Sequence, residues 1–91
     1  MGTVIKRDGK TQAFSAAKVR RSVQRAARDV KLSAEKTREL IRDVADSVVN
    51  KYKNRRVKST ELRRVLLRRI DRRVKSVASA WRRFDRSRRK R

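Results

Sequence analysis

Short alternating runs open the chain. Val4-Ile5-Lys6-Arg7 and Lys10-Thr11-Gln12-Ala13-Phe14 flank Asp8-Gly9, and Asp-Gly between two such runs is a strong hairpin signal. It predicts a type I′ turn, with positive φ at both central residues, joining strands over Thr3–Arg7 and Lys10–Phe14. Ser15 then caps a helix expected from Ala16 to about Val30. Val19, Val23, Ala26 and Val30 recur at helical spacing and define its buried stripe. Ser33 caps a second helix, with Glu35 favourably placed in its first turn. Leu40, Ile41, Val44, Val48 and Tyr52 are its core-facing positions.

Lys53-Asn54-Arg55-Arg56 reads as a polar connector, and Arg56-Val57-Lys58 as a third short strand beside the hairpin. The connector is too long for the tight turn of a helix-turn-helix. Ser59 or Thr60 caps a third helix with a broad apolar face of Leu62, Val65, Leu66, Leu67 and Ile70. Val74, Val77, Ala80, Trp81 and Phe84 form a further stripe, with Trp81 read as core. No Gly or Pro separates these two stripes, so one long helix and two helices both satisfy the pattern. Residues 1–85 read as one domain and residues 86–91 as a basic, disordered tail.

Charge changes the picture. Among 91 residues there are 31 Lys and Arg, nine Asp and Glu, and a net charge of +22. Residues 1–33 carry +7, residues 34–52 are neutral, and residues 53–91 carry +15. So much like charge on a small fold calls for a polyanion. Arg20, Arg21, Arg25 and Arg28 on the first helix are therefore read as facing phosphate, with Arg21, Arg25 and Arg28 on the side opposite the buried stripe. Arg64, Arg68 and Arg72 line the outer face of the third helix. Arg82, Arg83, Arg86, Arg88, Arg89, Lys90 and Arg91 complete the nucleic-acid-binding set. Glu35, Glu39, Asp43 and Asp46 resemble ordinary surface ion pairs rather than a catalytic pair. There is no Cys and no His, which excludes disulfides, thiolate and imidazole metal sites, and histidine acid–base chemistry. Only four aromatics are present, too few for a base-stacking platform. Met1-Gly2 begins like a myristoylation signal, but Lys6 stands where Ser or Thr is required. No apolar run reaches membrane-spanning length.

Lys18 falls in the first turn of the first helix, where free N–H groups already make a positive end. With Lys6 and Arg7 from the hairpin, it is expected to form a phosphate site. Val4-Ile5-Lys6-Arg7-Asp8-Gly9 and Phe14-Ser15-Ala16-Ala17-Lys18-Val19 resemble the ATP-cone, the nucleotide-sensing module of ribonucleotide reductases and their transcriptional repressor. Val57-Lys58-Ser59-Thr60-Glu61-Leu62 resembles the short strand and cap before that family's third helix. Val77-Ala78-Ser79-Ala80-Trp81-Arg82-Arg83-Phe84 resembles its closing motif.

The resemblance implies an α+β fold, with a three-stranded sheet capping a four-helix bundle and a helix break near Asp71–Lys75. It also implies binding of ATP or dATP, with Ser59 and Arg63 joining Lys6, Arg7 and Lys18. On the pattern alone Arg63 is equally a snorkelling arginine packed on the core. Gln12 departs from the acidic residue of many relatives.

Neither a reductase barrel nor the cysteines of a zinc ribbon accompany this sequence, so a sensor would act through a partner. The charge also exceeds what one triphosphate needs. The sequence is therefore read as a cytoplasmic, non-enzymatic nucleic-acid-binding protein on an ATP-cone-like fold, needing no cofactor. Its preferred setting is the ribosome, on structured RNA rather than DNA, with ribosomal proteins as accompanying partners and no membrane contact. Coating of genomic DNA is the next form of that reading, and ATP is expected to bind weakly. The alternative is a free-standing ATP- or dATP-binding regulatory module that oligomerises or docks on an enzyme.

Overall fold

A computed structural model of the protein describes residues 2–89. In chain order the elements are β1 (Thr3–Ile5), β2 (Thr11–Ala13), α1 (Ala16–Asp29), α2 (34–52), β3 (Arg56–Lys58), α3 (Ser59–Arg73) and α4 (Lys75–Arg89). The fold is α+β, as the sequence implies.

β1 is the central strand of the sheet, in the order β2-β1-β3. It pairs antiparallel with β2, Val4 opposite Gln12, and parallel with β3, Val4 opposite Val57. Side chains alternate across a strand, so Val4, Gln12 and Val57 share one face. Val4 and Val57 are buried there.

The hairpin forms, but not with a type I′ turn. The Lys6 N–H donates to the Lys10 carbonyl at 2.8 Å, and the Gly9 N–H donates to the Lys6 carbonyl at 3.0 Å. Gly9 has φ 86°, while Asp8 stays at negative φ. The Asp8 carboxylate accepts the Lys10 N–H at 2.9 Å. That local bond suits a three-residue loop with one left-handed residue, filled by glycine. The longer loop shortens both strands to three residues.

α1 begins as expected, with the Ser15 hydroxyl accepting the Lys18 N–H at 3.2 Å. It ends without glycine. Lys31 sits at φ 57°, and the Lys31 and Leu32 N–H groups donate to the Arg28 and Ala27 carbonyls. These two bonds are a Schellman stop with a lysine in the left-handed position.

α2 is capped by Ser33, whose hydroxyl accepts the Lys36 N–H. It contains a π-helical turn over Ile41–Ala45. Leu40, Val44, Val48 and Tyr52 are all buried and are spaced four apart. An α-helix of about 3.6 residues per turn would carry such a row around its surface. One wide turn absorbs the surplus and keeps the row facing the core.

α3 starts one residue earlier than predicted. Lys58 occupies the N-cap position, and no side chain caps the helix, so neither Ser59 nor Thr60 plays that part. α3 and α4 are separate helices. Val74, extended at φ −143° and ψ 96°, divides them, within the interval the family resemblance implies. α4 then runs to Arg89, so residues 86–89 of the expected disordered tail are helical. Lys90 and Arg91 lie outside the described residues.

One continuous core joins these elements. Val23, Ala26, Ala27, Ala45, Val48, Ile70, Val77 and Ala78 are fully enclosed, and Trp81 is buried beside them.

Candidate functional site

The sheet, α1, α3 and α4 line a half-open cavity of about 280 Å³. Its apolar lining comes from Val4, Phe14, Val19, Leu62, Leu66, Trp81 and Phe84, and its polar lining includes Gln12, Ser15, Lys18, Ser22, Arg25, Ser59, Arg63 and Asp85. Two helix starts reach this space. Ser15 and Lys18 bring the first turn of α1, and Ser59 brings the first turn of α3. Helix N-termini carry partial positive charge and unpaired amides, which favours anions. The Ser15 hydroxyl is occupied by the Lys18 amide, whereas Ser59 makes no capping bond.

Lys18, Ser22 and Arg25 follow i, i+4, i+7 spacing and so form one ridge of α1. Arg25 thus lines the cavity and also borders a surface hollow with Arg21 and Arg28. Arg25 is half-buried, with its guanidinium carbon 3.5 Å from the centroid of the Phe84 ring. Its Nε is buried without a hydrogen-bond partner among the described residues.

Arg63 lines the cavity. Its side chain is 36% exposed, and its Nη1 meets an Asp85 carboxylate oxygen at 3.0 Å. That ion pair joins α3 to α4 at the cavity. Trp81 is core, 6% exposed, and is also one wall of the cavity.

Of the predicted phosphate-binding residues, the cavity gathers Lys18, Ser59 and Arg63. Arg7 lines a neighbouring cleft, which shares Arg63. Lys6 is exposed at the hairpin and lines neither space. Arg25 was read from sequence as a nucleic-acid-binding residue rather than a cavity residue, and Phe84 and Asp85 were not picked out as site residues. The ridge spacing from Lys18 could have found Arg25, but nothing local marks Phe84 or Asp85.

The arginines read as nucleic-acid-binding divide. Arg20 pairs with Asp46 at 2.8 Å, and Arg82 lies 3.9 Å from Asp71. Arg21, Arg28, Arg64, Arg68, Arg72, Arg83 and Arg86 are exposed. The backbones of Arg88 and Arg89 belong to α4. Of the α2 carboxylates expected in surface ion pairs, Asp43 and Asp46 make them, whereas Glu35 and Glu39 make none among the described residues. Asp46 ties α2 to α1, and Asp43 ties it to α3 through Arg73 at 3.1 Å. Among the described residues no cluster of acidic side chains could hold a metal ion. No helix among them is long and apolar enough to cross a membrane.

The cavity combines an apolar wall with cations and two helix starts, features that favour an anion carrying an apolar group. The ATP cone domain model matches residues 2–88, and the chain belongs to the ATP-cone family. A comparison with curated protein sequences returned no significant match. The ATP cone is a regulatory nucleotide-binding module, not catalytic by itself, so family membership supports that reading of the sequence better than the ribosomal one.

Proposed function

We propose that this protein senses adenine nucleotides, taking ATP or dATP into the cavity between the sheet, α1, α3 and α4. The observation that carries this reading is the meeting of Lys18, Arg25 and Arg63 with the starts of α1 and α3 around one apolar-walled space. The phosphates lie toward Lys18, Ser59 and Arg63, where charge-assisted hydrogen bonds are strongest. The base lies against the walls formed by Phe14, Leu62, Trp81 and Phe84. The +22 charge favours nucleic acid as a second ligand, held outside this cavity.

Calorimetric titration of ATP, dATP and GTP into nucleic-acid-free protein at two salt concentrations tests this. The expected result is adenine-selective, salt-tolerant binding at micromolar concentration. It should be lost in Lys18→Ala, with a penalty of about 1.5–3 kcal/mol for one charge-assisted bond. Weak, equal binding of every triphosphate, fading with salt, would overturn the assignment.

A further inference from the structure

We infer that the arginine-lined cleft beside the nucleotide cavity is a second binding site, and that its ligand is the phosphate backbone of a nucleic-acid duplex. The cleft, of about 530 Å³, lies between the hairpin turn, α3 and α4. Arg7, Arg63, Arg64, Arg68 and Arg82 line it against a single carboxylate, Asp71.

The charges there are not neutralised within the fold. Asp71 is spent, loosely, on Arg82, and Arg63 is held by Asp85. Arg7, Arg64 and Arg68 are exposed and have no carboxylate at ion-pair distance among the described residues. Arg64, Arg68 and Arg72 follow one another at i, i+4 and i+8. Like charges at that spacing destabilise a helix by about 0.2–0.5 kcal/mol per pair. A bound polyanion would turn this repulsion into attraction.

The row also has direction. Arg68 lines a second concavity, with Arg72 and Arg73, of about 430 Å³. The second hollow lies on the α2 side of α3, beside Asp43, so the arginine row runs along the ridge between the two. Four-residue steps on a straight helix place the row's Cα atoms about 6 Å apart. An evenly spaced row of arginines on one helix suits a regular phosphate backbone, to which each guanidinium can bond bidentately.

Other polyanions fit less well. Unpaired strands are gripped by aromatic stacking, but Tyr52 and Trp81 are buried, and Phe14 and Phe84 are half-buried at the nucleotide cavity. An interfacial membrane helix needs a free apolar face, and that of α3 is committed to the core through Leu66 and Ile70.

The test is fluorescence anisotropy of the full-length protein, freed of nucleic acid, with a short duplex RNA and the duplex DNA of the same sequence across a salt series. The single strand and polyglutamate serve as comparison ligands. Arg64→Ala/Arg68→Ala should weaken duplex binding by roughly tenfold or more and flatten the log K against log salt slope by about 1.8, at ~0.9 per phosphate contact. Arg64→Lys/Arg68→Lys should keep the slope. Arg21→Ala/Arg28→Ala removes equal charge from α1 and should cost less than about threefold. The first variant should leave ATP affinity within about twofold, while Lys18→Ala should lose ATP and keep the duplex, so this site and the nucleotide cavity fail separately. Equal losses from both alanine pairs would show diffuse attraction and overturn the site. Absent duplex binding would do the same, as would tighter binding of the single strand or polyglutamate. Comparison of the two duplexes reads which nucleic acid the cleft prefers.

Discussion

The guanidinium of Arg25 stacks over the ring of Phe84, its carbon 3.5 Å from the ring centroid. This contact joins α1 to α4 at the nucleotide cavity. It brings together two residues separated by most of the chain. It also leaves the Arg25 Nε buried and unpaired among the described residues. Arg25 therefore combines an attractive ring contact with a polar atom that folding has not satisfied.

Arg25→Met should separate those effects. The methionine keeps most of the apolar stem and packs on the ring. Losing the cation–π contact costs about 0.5–1 kcal/mol, while removing the unpaired donor returns about 1–3 kcal/mol. A net gain of about 1 kcal/mol is expected in urea denaturation. ATP affinity should fall in the same variant, measured by calorimetry. A loss of stability would mean that the Nε has a partner.

Asp85→Asn should strengthen nucleotide binding. Asp85 holds Arg63 at 3.0 Å and places a negative charge on the cavity wall. Removing that charge frees Arg63 for phosphate. Affinity for ATP should rise by roughly three- to tenfold, or about 0.7–1.4 kcal/mol. The ion pair is partly exposed, so the melting free energy should change by less than about 1 kcal/mol. Unchanged ATP affinity would place Arg63 outside the phosphate path.

Lys31→Gly should stabilise the protein. Lys31 is held at φ 57° in the stop of α1, a conformation that costs an L-residue roughly 1–2 kcal/mol and glycine almost nothing. Glycine also loses more chain entropy on folding, so a net gain of about 0.5–1 kcal/mol is expected. Thermal denaturation at fixed salt checks it, and a fall in melting temperature contradicts it.

Gly2→Ala should do the reverse. A Cβ at Gly2 would collide with the Lys53 carbonyl oxygen and stand 2.8 Å from that of Tyr52. Both are backbone atoms and cannot swing aside. The Gly2 carbonyl also accepts the Phe14 N–H at 2.9 Å, which pins the strand in place. The expected cost is about 1–3 kcal/mol in chemical denaturation.

Much of the architecture was legible in local sequence. Asp8-Gly9 announced a reversal, Ser15 and Ser33 announced helix starts, and Val19, Val23 and Ala26 announced a buried stripe. Each signal acts within a few residues, through a dihedral preference, a side-chain-to-amide bond or helical spacing. The turn type was not legible, because the Asp8 side chain offered a competing bond to Lys10. The Lys18 end of the site was also readable, since a helix start and a basic first turn lie within one short motif.

What the sequence by itself determined was therefore the order of elements, the hairpin, the two serine caps, the basic surface and the motifs of the family. Tertiary structure decided where α3 ends and α4 begins. Without Gly or Pro, the chain divides at Val74, where α3 and α4 pack together through Leu66, Ile70 and Val77. It decided the wide turn of α2, which only a shared core demands. It also sorted the cations. Arg63 meets Asp85 across two helices, Arg20 meets Asp46 across 26 positions, and Arg25 turns inward onto Phe84, while Arg64 and Arg68 stay exposed. Composition counts these side chains alike. Only the packing of distant helices determines which of them has a carboxylate or a ring within reach.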